Sequence, residues 1–287
     1  MDPFEYFEPR TVEEATRLLF HVGKKARILA GGIDLIPRMQ KGDIEVECVV
    51  NIQKIPGLEY IEPNEREEIT FGAMTKLHSI ELSKIIQNRH AILYEAVHQI
   101  TSVQAKSMGT AVGNLCVATP ASDVATCLFA LGARLKVTGV DGEREEPIEK
   151  FYVDYRQTSL KQGEMVVGVV LPNPLPGTGM AFLNLLRTHA DIAKISVAVA
   201  VVVQSGICRE ARIGIGAAAP TVFRAAKAEA LCISQRITPE IIRRAAEAAA
   251  GETKPITDLR STADYRKEMS KVLVKRGLEK ALEMAQG

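Results

Sequence analysis

The chain has 287 residues, 46% hydrophobic and 25% charged, a length that favours two domains and a composition that excludes disorder, collagen-like repeats and coiled-coil fibres. Lys and Arg number 36 against 35 Asp and Glu, so the net charge of +1 points away from nucleic acid or an anionic membrane and towards a small or buried ligand. The five cysteines are widely spaced with no C-x-x-C pair, which leaves no disulfide framework or metal cage to expect and makes buried reduced thiols the default.

The opening MDPFEYFEPR has no basic n-region or apolar h-region, and no stretch approaches the ~20 apolar residues of a membrane span. A cytoplasmic protein is expected. Thr11 to Glu14 reads as a capping box, in which the Glu14 carboxylate reaches back, with a helix over 12–22. A strand over 26–30, a sharp Gly31-Gly32 turn, a brief helix over 33–39 despite Pro37, and a strand over 46–52 complete a small α/β unit.

Strands near 58–61 and 68–73 and helices over 75–86 and 91–99 open a second α/β lobe. Residues 101–120 lack helical periodicity and read as a loop rich in Ser, Thr, Gly and Ala, followed by a helix over 121–131 that Gly132 ends. A hairpin turning at Asp141-Gly142 and a strand over 165–171 follow. LPNPLPGTG is an extended connector and marks the domain boundary. Beyond it come strands over 180–186, 195–203 and 210–215, then helices over 222–232, 239–250 and 263–284, which is an α+β pattern.

Two segments carry the candidate site. The turn Leu29, Ala30, Gly31, Gly32, Ile33, Asp34, Leu35 either cradles a diphosphate on backbone N–H groups, because residues without a Cβ allow close approach, or is an ordinary turn in which Asp34 caps its neighbours. The segment Gly109, Thr110, Ala111, Val112, Gly113, Asn114, with Asp123 further on, either forms a second cradle plus a carboxylate for cofactor hydroxyls or is a loop with a helix N-terminal charge.

Three other motifs have plainer readings. Gly214-Ile215-Gly216-Ala217-Ala218-Ala219 matches a nicotinamide dinucleotide fingerprint, but Pro220 follows at once and Ser234 stands where an acidic residue is needed. Arg187 to Asp191 is an exposed turn or an interface loop, and Tyr155 with Arg156 either flanks a planar ligand or is a surface pair. The five histidines show no metal spacing, and there is no P-loop or nucleophile elbow to support hydrolysis or phosphoryl transfer.

With AGGIDL at Ala30 to Leu35 and GTAVGNLCVATPASD at Gly109 to Asp123, the chain resembles the FAD-binding medium subunits of molybdenum hydroxylases. This group includes CO, xanthine and nicotinate dehydrogenases. The flanks FEYFEPRTVEEA, VVNIQKIPGLEYI, FGAMTKLHSIE and GAAAPTVFRAAKAEA extend the resemblance over nearly the whole chain.

The resemblance implies an α+β architecture: a vanillyl-oxidase-like, PCMH-type FAD-binding domain over 1–176, in lobes 1–53 and 54–176, and a C-terminal α+β domain over 177–287 of the CO dehydrogenase flavoprotein type. It also implies FAD held by Leu29 to Leu35, by Thr110 to Asn114 and by Asp123, with Ile100 against the flavin ring, Val166 nearby and the Arg187 to Lys194 loop flanking it. No side chain need act as an acid or base, and no metal is bound by this chain. The partners implied are a small subunit with [2Fe-2S] clusters and a large molybdopterin subunit, in a dimer of heterotrimers.

Electrons would pass through FAD to NAD or another acceptor. Two departures stand out: Ile33 replaces a usually polar residue, and Val112 stands where the family has glycine. A β-branched residue is costly at positive φ, so Val112 implies either ordinary β geometry there or an altered cradle. The altered cradle supports an alternative, a structural or assembly subunit with weak or absent FAD.

Overall fold

The computed structural model describes residues 3–286; Met1 and Asp2 of the N-terminal run, and Gly287 at the end of the C-terminal domain read from the sequence, lie outside the described residues. The first unit runs β1 (Glu5–Phe7), α1 (Val12–Val22), β2 (Ala26–Leu29), α2 (Leu35–Lys41) and β3 (Cys48–Asn51). Its three strands are parallel in the order β1-β3-β2, so α1 and α2 act as crossovers. The Thr11 hydroxyl accepts the Glu14 N–H at 3.1 Å, as the capping box requires. The Glu14 carboxylate, however, takes the Arg10 N–H at 2.7 Å rather than that of Thr11. Helix α2 starts two residues later than the sequence suggests, because Gly32 turns the chain at φ +74°. Pro37 falls in its first turn, where a missing N–H costs nothing.

A five-stranded antiparallel sheet forms the next layer, in the order β4-β5-β10-β6-β7. It consists of β4 (Ile61–Pro63), β5 (Ile69–Gly72), β6 (Arg134–Gly139), β7 (Gly142–Pro147) and β10 (Met165–Leu171). Between β5 and β6 lie α3 (Leu77–Leu82), α4 (Lys84–Arg89), α5 (Ala91–His98), α6 (Val103–Met108), α7 (Ala111–Cys116) and α8 (Asp123–Leu131).

The expected single helix over 75–86 is thus broken at Ser83, which is extended and caps α4 with its hydroxyl. The expected loop over 101–120 contains α6 and α7, capped by Ser102 and Thr110. At six residues each, these helices are too short for a 3.6-residue period to show. After β7 come α9 (Ile148–Phe151) and a small hairpin of β8 (Tyr152–Asp154) and β9 (Gln157–Thr158).

The remaining sheet is antiparallel: β11 (Thr178–Leu185), β12 (Ile195–Gln204), β13 (Ile207–Gly216) and β14 (Phe223–Arg224), covered by α10 (Ala226–Cys232), α11 (Pro239–Glu252) and α12 (Ala263–Gln286). Strand β13 begins at Ile207 rather than 210, because Ser205 and Gly206 at positive φ make a tight hairpin turn. Helix α10 begins late because Phe223 and Arg224 pair with β13 instead.

Helix α8 joins the layers. Every residue from Val124 to Leu131 is buried, which a helix tolerates only when packed on several sides. It packs on α5 and on the C-terminal strands β12 and β13. Gly132 ends it in left-handed geometry, donating to Leu128 and Phe129 carbonyls.

Glycines 214 and 216 explain why the dinucleotide fingerprint is a decoy. A Cβ on Gly214 would overlap the Thr126 carbonyl, and one on Gly216 would meet the Thr126 and Ser196 hydroxyls and, at 3.1 Å, the Pro120 carbonyl. The pair lets β13 lie against α8; it cradles no phosphate. All five cysteines are unpaired, four of them buried. Among the described residues no helix is long and apolar enough to cross a membrane.

Candidate functional site

The two glycine segments, 78 residues apart, touch. A Cβ on Gly31 would overlap the Met108 carbonyl oxygen and the Gly109 Cα, so the absence of a side chain lets the two backbones meet. Ile33, 44% exposed, lies over Gly109, its Cγ1 3.7 Å from where a Cβ would sit. Leu29 and Leu35 pack in the small core of the first unit and anchor the turn. The Ala30 carbonyl accepts the Gln53 amide at 2.6 Å.

Asp34 begins α2 but makes no capping hydrogen bond; its carboxylate faces Arg156 at 3.2 Å and Arg38 at 3.4 Å. The reading of Asp34 as a simple cap is therefore corrected. With Pro37 at the third helical position there is no N–H there to accept.

The second segment is fixed by backbone pairing. Leu77 N–H donates to the Gly109 carbonyl at 2.9 Å and Ala111 N–H to the Thr75 carbonyl at 3.0 Å. The Thr110 hydroxyl then accepts the Gly113 N–H at 2.9 Å and leaves no room for a Cβ on Gly113. Val112 sits inside α7, 4% exposed, with its side chain in the main core. The expected β geometry does not hold: the backbone is helical, so the valine carries no positive-φ cost. Asn114 accepts a hydrogen bond from the Ser122 hydroxyl at 2.5 Å.

Asp123 opens α8. Its Oδ2 accepts the Asn184 amide from β11 at 3.0 Å, while Oδ1 is buried without a protein partner. Burial pushes this carboxyl above the usual range, against the pull of Asn184 and Ser196. A buried acceptor with nothing to accept is costly and fits a ligand hydroxyl.

Ile100 is half-buried at the end of α5, and the next residue, Thr101, donates its hydroxyl to the His189 carbonyl at 2.9 Å. That bond brings the 187–194 loop beside Ile100. Within the loop, Arg187 pairs with Asp191 at 3.2 Å. Val166 is 3% exposed in β10 opposite Val137, on the strand against which α7 packs. The Arg156 guanidinium lies 5.6 Å from the Tyr155 ring centroid, so these two do pair, but Arg156 also reaches the first loop.

Gln53 and Asn184 were not among the sequence candidates. Asn184 had a signal: an amide in the middle of the apolar run GMAFLNLL, where asparagine is disfavoured in a strand.

Two glycine turns meeting backbone to backbone, with an unpaired buried carboxylate oxygen nearby, suit a dinucleotide bearing hydroxyls. Residues 2–174 match the FAD binding domain in molybdopterin dehydrogenase, and residues 180–281 match the CO dehydrogenase flavoprotein C-terminal domain. The chain belongs to this family of FAD-binding medium subunits of molybdenum-dependent dehydrogenases, and is an oxidoreductase subunit.

It is 32% identical to the carbon monoxide dehydrogenase medium chain of Hydrogenophaga pseudoflava, over 97% of this chain and 96% of that one. It is 33% identical to the 6-hydroxypseudooxynicotine dehydrogenase complex subunit alpha of Paenarthrobacter nicotinovorans, over 98% and 95%. The solved carbon monoxide dehydrogenase of Hydrogenophaga pseudoflava lacking the Mo-pyranopterin moiety superposes with a TM-score of 0.94 at 34% identity, covering 99% of both chains.

Proposed function

We propose that this chain is the electron-transfer subunit of a multi-subunit molybdenum hydroxylase. It takes electrons from [2Fe-2S] clusters of a small partner, which receives them from a large molybdopterin subunit, and passes them to NAD or another acceptor. The assembly is a dimer of heterotrimers, in the cytoplasm, where five unpaired thiols persist. The observation that carries the reading is the buried, unpartnered Asp123 Oδ1, whose neighbour Ser122 is bonded to Asn114 of the second of two touching glycine segments.

In this reading the N–H groups of Gly31 to Asp34 hold the diphosphate, the Thr110 to Asn114 segment lines it from the other side, and Asp123 Oδ1 accepts a cofactor hydroxyl. Ile100 and the 187–194 loop shield the ring, with Val166 behind α7. FAD supplies the redox chemistry; the chain orients it and excludes water. The domains divide near residue 176, supported by the gap between the two family matches. Substrate choice lies with the large partner, because relatives named for CO and for 6-hydroxypseudooxynicotine match this chain equally well.

The structural-subunit alternative rested on Val112, and a buried valine at a helical position gives it little support. The test is the visible spectrum of the purified chain with and without added FAD, followed by identification of the released flavin. One FAD per chain is expected; no binding on reconstitution would favour the structural subunit.

A further inference from the structure

An acidic residue in a loop built for a diphosphate needs an explanation. The Asp34 carboxylate is drawn off the loop by two guanidinium groups: Arg38 on its own helix, and Arg156, which comes from 122 residues away. Arg156 engages both carboxylate oxygens, Nη1 at 3.2 Å from Oδ2 and Nη2 at 3.3 Å from Oδ1. Its position is set by the second segment. The Arg156 backbone is left-handed at φ +56°, and its N–H donates to the Ala118 carbonyl at 2.9 Å. Ala118, fully buried and itself at φ +49°, follows directly on α7 and its cap residue Val117. One residue is thereby bonded to both halves of the site, through its backbone to one and its side chain to the other.

We infer that Arg156 is a positioning residue that latches Asp34, neutralising its charge and holding the first glycine turn against the second so that its N–H groups stay free for an anion. The inference rests on the FAD reading above. Asp34 is the only carboxylate in the turn, and without Arg156 its charge would oppose the diphosphate and its oxygens would compete for the same N–H donors. A planar fork suits the two-oxygen contact; a lysine ammonium cannot reproduce it.

The test is a double-mutant cycle on FAD affinity in the full chain, with hydrogen exchange at the amides of residues 31–34 in the FAD-free protein. Arg156→Gln should weaken FAD about tenfold and slow that exchange, as the released carboxylate takes up those N–H donors, whereas in an Asp34→Asn background the same change should cost less than about twofold. Arg156→Lys should recover only part of the affinity.

An equal loss in both backgrounds would mean that Arg156 acts on the cofactor and not through Asp34, and unchanged exchange would remove the latch. Wild-type chain that binds no FAD overturns the functional reading itself. Wild-type chain that binds FAD with Arg156→Gln unaffected overturns this inference alone.

Discussion

Asn184, on a strand of the C-terminal sheet, donates its side-chain amide to Asp123 at 3.0 Å, so the carboxylate proposed to face the cofactor is aimed by the other half of the molecule. Asn184→Leu should free Oδ2 and weaken FAD, by about tenfold or more if the lost bond to a charged group is worth ~1.5–3 kcal/mol. Equilibrium titration of flavin fluorescence measures it, and an affinity equal to wild type would show that Asp123 needs no orientation.

FAD affinity should depend on pH through Asp123. Burial raises its folded-state value, so the carboxylate becomes costly to ionise as pH rises from the ordinary carboxylate range through that raised value. A ligand hydroxyl favours the ionised form, so affinity should rise across this window and fall as acid is added. Asp123→Asn should bind more weakly and flatten the profile; a profile identical to wild type would remove Asp123 from the site.

Gly31→Ala should force the touching backbones of the two glycine segments apart, at a cost of about 1–3 kcal/mol, and release flavin. Gly32→Val and Gly113→Val should do likewise, the first through its positive φ and the second through the Thr110 hydroxyl. Retention of one FAD per chain in all three would refute the cradle.

Gly216→Val should instead lower the melting temperature, because it wedges β13 away from α8, with no effect on nicotinamide dinucleotide binding measured by calorimetry. Loss of such binding at an unchanged melting temperature would revive the fingerprint reading.

His90 is buried with neither ring nitrogen partnered, and burial, aided by Arg89, holds its pKa down at about 4. The unfolded chain binds this proton near pH 6.5 and the folded chain does not, so stability should fall by up to about 3 kcal/mol as pH drops from 6.5 to 4. Urea denaturation of His90→Leu across that range should show a shallower slope.

The long elements were legible in the sequence. Helix α1 was read to the residue, and β10 and β12 to within one, because periodicity, a Thr11 cap and β-branched runs agree there. The glycine turns were legible as a pair only through the family resemblance, since either alone has an ordinary explanation. What stayed hidden was short or distant: α6 and α7 are each under two helical turns, and no local pattern joins Asn184 to Asp123 or Arg156 to Asp34.

The reach of Asn184 to Asp123 also bears on a shortened chain. A chain extended only to residue 174 already carries both glycine segments and the carboxylate but lacks the amide that aims it. If the FAD reading holds, such a shortened chain should grip flavin no better than the Asn184→Leu variant, and the C-terminal sheet contributes to cofactor retention without touching the cofactor.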